Sequence, residues 1–140
     1  LAGLRGLVSG REAVRRSVRA GTNIFGEPGC VLFRRELLER EGGWDNSFPY
    51  LIDQATYTRI MLHGDMVALP HTLASFRISA TQWSVRLMKE QAAQAVAFHE
   101  HLRRTVPGLL SALDLRVGNA MARAMALARR SAYLWLRRRM

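Results

Sequence analysis

Val14 and Val18 stand one helical turn apart within a run of arginines, the spacing of a single buried face. Ser9 and Glu12 have the Ser-x-x-Glu order of a capping box, and Gly21 supplies a stop, so a short helix is predicted over about residues 10–20. "TNIFGEPG" is turn-rich, and Pro28 holds Glu27 in an extended conformation. The unbroken apolar run "CVLF" predicts a buried strand, and "RRELLERE" a helix of about two turns closed by Gly42 and Gly43. Residues 44–52 read as a loop carrying Trp44, Phe48, Pro49 and Tyr50, aromatics that must pack on the core or on a ligand. From Asp53, "QATYTRIMLHG" reads as a helix ending at Gly64, with His63 in its last turn as a partner for the helix dipole. "MVAL" and "TLASFRI" suit strands joined by a "PH" turn.

The pattern then becomes helical throughout. Ser84 is the predicted start of a long helix, with Trp83 and Met88 at staple positions and Met88, Ala92, Ala95, Phe98 and Leu102 along one stripe. "TVPG" breaks it, and Ser111 with Asp114 forms a second capping pair before a final helix towards Arg139. On that helix Arg116, Arg123, Arg130 and Arg137 recur at heptad spacing on one face. Leu113, Ala120, Leu127 and Leu134 recur on another. The order of elements predicts a mixed, helix-rich α/β fold, with residues 1–84 as core and 85–140 as a helical C-terminal appendage.

Composition narrows the class. A chain of 140 residues with 49% hydrophobic and 23% charged residues is about one globular domain. No apolar run reaches the roughly 18 residues of a spanning helix, and "LAGLRGLVSG" makes a poor signal peptide. Cys30 is the single cysteine, which excludes an intrachain disulfide and a cysteine metal cluster, and its apolar neighbours predict burial. The net charge is +10, and 20 of the 21 basic residues are Arg, a surface suited to phosphate-bearing partners: nucleic acid, anionic lipid or nucleotide. The basic amphipathic last helix suits an anionic membrane surface, or a solvated face on a packed helix.

Candidate chemistry is sparse. There is no phosphate loop and no dinucleotide-binding glycine fingerprint. "HEH" at 99–101 lacks the i, i+4 spacing of a helical zinc pair. No Asp-x-Asp pair occurs. Asp53 stands where a predicted helix opens, a place that favours an N-cap whatever the protein does; a catalytic carboxylate is the other reading.

Three ordered stretches carry a resemblance. "GTNIFGEPGCVLFRREL", "GGWDNSFPYLIDQATYTRIMLHGD" and "ALPHTLASFRISATQWS" resemble the glycine loop and Arg-Arg helix, the acidic helix-opening motif, and the Arg-x-His strand of a family-2 glycosyltransferase. The likeness covers residues 21–86 and implies the C-terminal, acceptor-side half of a GT-A fold. It implies that Asp53 is the general base that takes a proton from an acceptor hydroxyl as a nucleoside diphosphate leaves with inversion. Glu27, Arg77 and Trp83 would line the donor–acceptor cleft; each also has a structural reading, Glu27 in its turn, Arg77 in an ion pair and Trp83 in the staple.

The departures shape the expectation. Ile52 stands where the family often has a further acid. The Arg-x-His motif reads Arg77-Ile78-Ser79, so no metal is assigned to this segment. No Gln-x-x-Arg-Trp motif occurs, which favours single-sugar transfer over polymerisation. The resemblance implies a Mg²⁺ or Mn²⁺ ion held by a nucleotide-binding half preceding residue 1, a nucleotide-sugar donor, and a saccharide or lipid-linked acceptor. Without that half, exposed sheet edges would invite a homodimer, and the segment alone would be inactive. The expected location is cytoplasmic, peripheral at the inner membrane face. The competing readings are a basic nucleic-acid-binding module, for which no recognised motif is present, and a non-catalytic glycosyltransferase-like scaffold.

Overall fold

The computed structural model describes residues 3–75, 87 and 89–137. In chain order they form strand β1 (Gly6–Val8), helix α1 (Gly10–Ala20), a 3₁₀ turn (Pro28–Cys30), helix α2 (Arg35–Arg40), a second 3₁₀ turn (Pro49–Leu51), helix α3 (Ile52–Met61), strand β2 (Met66–Ala68), helix α4 (Gln91–Thr105) and helix α5 (Ala112–Arg137). The chain is a mixed, helix-rich α/β fold whose sheet is small. β1 and β2 pair antiparallel with Gly6 opposite Ala68, Leu7 opposite Val67 and Val8 opposite Met66. Leu7 and Val67 share the outer face, while Ala68 turns into the core.

α1 has the predicted bounds and ends at Gly21, whose φ of 63° gives the left-handed cap. The capping box does not form, because Ser9 makes no side-chain cap hydrogen bond. Glu12 turns outward to Arg16 at 2.8 Å, and the Gly10 N–H donates to Asp65 Oδ1 at 3.3 Å from across the fold. A tertiary carboxylate has replaced the local cap. Gly10 is needed there, since a Cβ would meet the Met61 and Gly64 carbonyl oxygens at 2.0 Å.

α1 lies between α3 and α5. Its buried Val14 and Val18 meet the core, while buried Ser17 carries a polar seam: Gln54 Nε2 donates to Ser17 Oγ at 2.9 Å, and Ser17 Oγ donates to the Thr22 carbonyl at 2.9 Å. α3 is buried nearly all round, through Gln54, Ala55, Thr56, Tyr57, Thr58 and Ile60. This is why its sequence shows little amphipathic period. α4 buries the predicted Ala95, Phe98 and Leu102. Residues 87, 89 and 90 lie in turns, so α4 begins at Gln91 and not at Ser84. Met88 and Trp83, the staple pair, lie outside the described residues, as does the boundary at 84 and 85. One hydrophobic cluster joins Val14, Phe25 and Tyr57 to Phe98, Leu102, Leu110 and Ala122, so the helical C-terminal segment shares its core with the first half.

The predicted pair of Ser111 and Asp114 forms in full. Asp114 N donates to Ser111 Oγ at 3.1 Å, and Asp114 Oδ2 accepts from the Ser111 hydroxyl at 2.7 Å and the Ser111 N–H at 3.0 Å. Arg15 and Arg19 of α1 then reach the same carboxylate, at 3.4 Å and 3.3 Å. One side chain thus starts α5 and fastens α1 to it. The face of α5 that packs inward is Leu115, Gly118, Ala122 and Ala126. Leu113, Ala120 and Leu127 of the leucine stripe and Arg116, Arg123 and Arg130 of the arginine one are exposed; small residues were selected by the close crossing with α1.

Two strand predictions fail. "CVLF" is a 3₁₀ turn followed by irregular chain, and Cys30 is exposed. Residues 72–75 of "TLASFRI" form no strand, and its remainder, 76–78, lies outside the described residues. Cross-strand partners, which a short apolar run does not reveal, are missing for both segments among the described residues. β1 was not anticipated, since its Gly-Leu-Val is short and half polar in exposure.

Candidate functional site around Asp53

Asp53 falls in the first turn of α3 and is not its cap. The N-cap position is Leu51, and no side chain makes a cap hydrogen bond there. Among the described residues the Asp53 carboxylate has neither a hydrogen-bond nor an ion-pair partner. It is half-buried. Burial pushes its pKa above the usual carboxylate value, and the negative charge of Glu27 adds to the rise.

Glu27 reaches this point through the loop after α1. Asn23 shapes that loop, accepting the Phe25 N–H at 2.9 Å and donating to the Gly26 carbonyl at 3.0 Å. Gly26 has φ of 112°, a conformation that favours glycine. Glu27 is extended, as its following proline requires, with φ −75° and ψ 163°. The carbonyl of Glu27 accepts the Cys30 N–H at 2.8 Å, which brings the exposed thiol to the same side.

Tyr57 completes the group. It stands four residues after Asp53, on the same face of α3. Its hydroxyl is buried and has no hydrogen-bond partner among the described residues. Burial raises its pKa strongly, followed by the charges of Asp53, Glu27 and Cys30, so all four side chains act on one small region. A cluster of rings backs it. Tyr57 meets Phe25 at 6.4 Å, Phe33 at 6.0 Å and Trp44 at 6.1 Å between centroids. Trp44 remains 41% exposed, the one large ring of this cluster turned to solvent.

The loop 43–51 is pinned at several points. Arg59 Nη2 donates to the Gly43 carbonyl at 2.7 Å, and the Asp45 N–H donates to Thr56 Oγ1 at 2.9 Å. Burial would raise the Asp45 pKa, but hydrogen bonds from Ser47 and the charges of Arg59 and His101 outweigh it and hold Asp45 ionised. Phe48 packs on Phe98 at 5.3 Å and on His101 at 5.7 Å. The Tyr50 N–H donates to Gln94 Oε1 at 2.7 Å. Arg129 of α5 donates to the Tyr50 hydroxyl at 3.0 Å and, through its other amino group, to the Thr22 hydroxyl. Burial raises the Tyr50 pKa against the pull of Arg129, and the charges of Tyr133 and Glu27 add to the rise.

Asp53 and Glu27 were separate candidates in the sequence, and Glu27 lies near enough for its charge to act on Asp53. Arg77 and Trp83 lie outside the described residues. Tyr57, Cys30 and the Arg129–Tyr50 bracket were missed. The i, i+4 spacing of Asp53 and Tyr57 was the available signal; the approach of Arg129, 79 residues from Tyr50, had none. His63, expected to face the end of its helix, instead lies 2.6 Å from Glu41 Oε1 through its Nε2. His99 and His101 point apart as their spacing requires, His99 donating from Nδ1 to Asn119 Oδ1 at 2.8 Å. A separate cleft of about 220 Å³ is lined by Ser9, Arg11, Glu12, Arg15, Gly108 and Leu109, with neither Asp53 nor Glu27 in its wall. Among the described residues no group of three or more His, Cys, Asp or Glu side chains could hold a metal ion. No described helix is long and apolar enough to cross a membrane.

A curated relative, uncharacterized protein MT1568 of Mycobacterium tuberculosis (strain CDC 1551 / Oshkosh), is 35% identical over 69 residues. That stretch is 49% of this chain and 22% of the relative, so the chain matches only a minor part of the longer protein. No protein-family model and no solved structure matches the chain.

Proposed function

We propose that this sequence is the acceptor-side part of an inverting, nucleotide-sugar-dependent glycosyltransferase with a GT-A fold. It would transfer a single sugar to a hydroxyl of a saccharide or lipid-linked acceptor. The observation that carries the proposal is Asp53: a half-buried carboxylate with no partner among the described residues, its proton affinity raised by burial and by Glu27. A residue placed for stability would be paired or fully solvated; among the described residues this one has no partner and is only partly open to solvent. A raised pKa makes the carboxylate a better proton acceptor.

In the step proposed, the acceptor oxygen bonds to the anomeric carbon while its proton passes to an Asp53 oxygen. The bond from that carbon to the nucleoside diphosphate breaks on the opposite side. Trp44, half-exposed beside Tyr57, offers a ring face for a sugar, and the Tyr57 hydroxyl offers an unused hydrogen bond. A cytoplasmic site of action goes with this reading.

The test is Asp53→Asn in the full-length protein, assayed with a panel of nucleoside-diphosphate sugars. Transfer should fall by a factor of roughly 10²–10⁴, the usual contribution of a general base. Thermal stability should stay level or rise slightly, because the exchange removes an unpaired, desolvated charge. Retained transfer, or a marked loss of stability, would overturn the assignment.

A further inference from the structure

α5 has a second face that its packing leaves free. Leu113 is 62% exposed, Met121 40% and Leu127 66%, although each is a large apolar side chain. Isolated exposed leucines are ordinary, but these lie along one side of a single helix, opposite the Leu115, Gly118, Ala122 and Ala126 face. Arg116, Arg123 and Arg130 are all exposed and run beside this apolar strip, each about 60° around the helix from its leucine or alanine neighbour. Among the described residues none of these three arginines is held in an ion pair. The sequence after Asp114 contains no acidic residue, and Asp114 itself is 3% exposed and occupied by Ser111, Arg15 and Arg19.

We infer that this face of α5 is a docking surface for an anionic lipid bilayer, against which the helix lies in the plane of the interface. The apolar strip would enter the boundary between headgroups and acyl chains while the arginine row meets lipid phosphates. The chemistry chooses the occupant. A partner helix or a second copy of α5 would have to supply carboxylates to face three unpaired arginines, and α5 has none to offer on this side. A bilayer supplies both a phosphate layer and an apolar layer at the depths these two rows require. The inference is independent of the reaction assigned to Asp53.

The experiment is co-sedimentation of the purified chain with phosphatidylcholine vesicles, with and without phosphatidylglycerol. Binding should require the anionic lipid and weaken as salt is raised. Neutralising Arg116, Arg123 and Arg130 to Gln together should reduce partition roughly a hundredfold, since each basic residue near an anionic surface contributes about a factor of five. Leu113→Gln with Leu127→Gln should also weaken it, and both variants should keep the wild-type circular dichroism because every changed side chain is exposed. Neutralising the exposed Arg11, Arg40 and Arg104, on other elements, serves as the control for overall charge and should matter far less. Equal binding to neutral vesicles, unchanged binding of the α5 variants, an equal loss in the control variant, or a dimer that sequesters Leu127 from cross-linking would each overturn the inference.

Discussion

Replacing Asp114 by Ala removes a carboxylate that serves two elements at once, and its cost can be worked from the bonds it makes. Loss of the reciprocal pair with Ser111 removes a helix cap, about 1 kcal/mol in typical proteins. The two arginines it holds have side chains 47% and 45% exposed, so solvent limits each ion pair to about 0.2–1 kcal/mol. The sum is about 1.5–3 kcal/mol, or roughly 5–10 °C in Tm for a chain of this size. Burial alone would raise the Asp114 pKa, but the Ser111 hydrogen bonds, Arg15 and Arg19 outweigh it and hold the value below 3.8. A depressed carboxylate contributes stability that is present above its unfolded pKa and lost as pH falls through the folded one. Urea denaturation of wild type and Asp114→Ala should therefore show the full gap near neutral pH and a shrinking gap under acid. Asp114→Asn keeps an acceptor for Ser111 without the charge, and should recover the capping share only. A cost under about 0.5 kcal/mol for Asp114→Ala, or a gap that persists in acid, would refute this account of how α1 is fastened to α5.

Two further outcomes follow from the packing. Gly118→Ala should destabilise, by about 1–3 kcal/mol, even though Ala is the better helix former, because its Cβ would lie 2.5 Å from the Val18 carbonyl oxygen; a rise in Tm would show that α1 and α5 do not cross this closely. His99 is 1% exposed and its pKa is lowered by burial, against the opposing influence of Asn119 and Glu100, so it folds as a neutral ring. Stability should decline as pH drops below about 6.5, where the unfolded chain takes up the proton first, and His99→Gln should flatten that limb of the pH profile.

The helices were legible because their signals are local. Gly21 stops α1 by its own backbone freedom, and Ser111 and Asp114 cap α5 within one turn, so neighbours along the chain suffice to specify both. The same reasoning misled at Ser9, where Asp65 supplies the acceptor from another element. It misled again at "CVLF", where an apolar run without cross-strand partners became a turn with its cysteine outside. Of the candidate site, the sequence supplied Asp53 and Glu27 as separate suspects. Their proximity depends on how the loop after α1 folds back over α3, which no local pattern encodes.

The sequence by itself determined where α1 stops and where α5 starts, that the last helix carries arginines at heptad spacing, and which residue types were available for chemistry. Tertiary structure alone decided which face of each helix is buried. In α5 the periodicity marked a leucine stripe and an arginine stripe, yet the face that packs inward is Leu115, Gly118, Ala122 and Ala126. The reason is distance: Gly21 and Gly118 let the backbones of α1 and α5 approach so closely that only small side chains fit between them, and the leucines are turned to the outside. It also decided the state of Asp53. Whether a carboxylate at the start of a helix is a cap or an unpaired charge depends on which way the backbone enters the first turn and on what else comes near. Here Leu51 takes the cap position, and burial, with the charge of Glu27 added, raises Asp53's proton affinity.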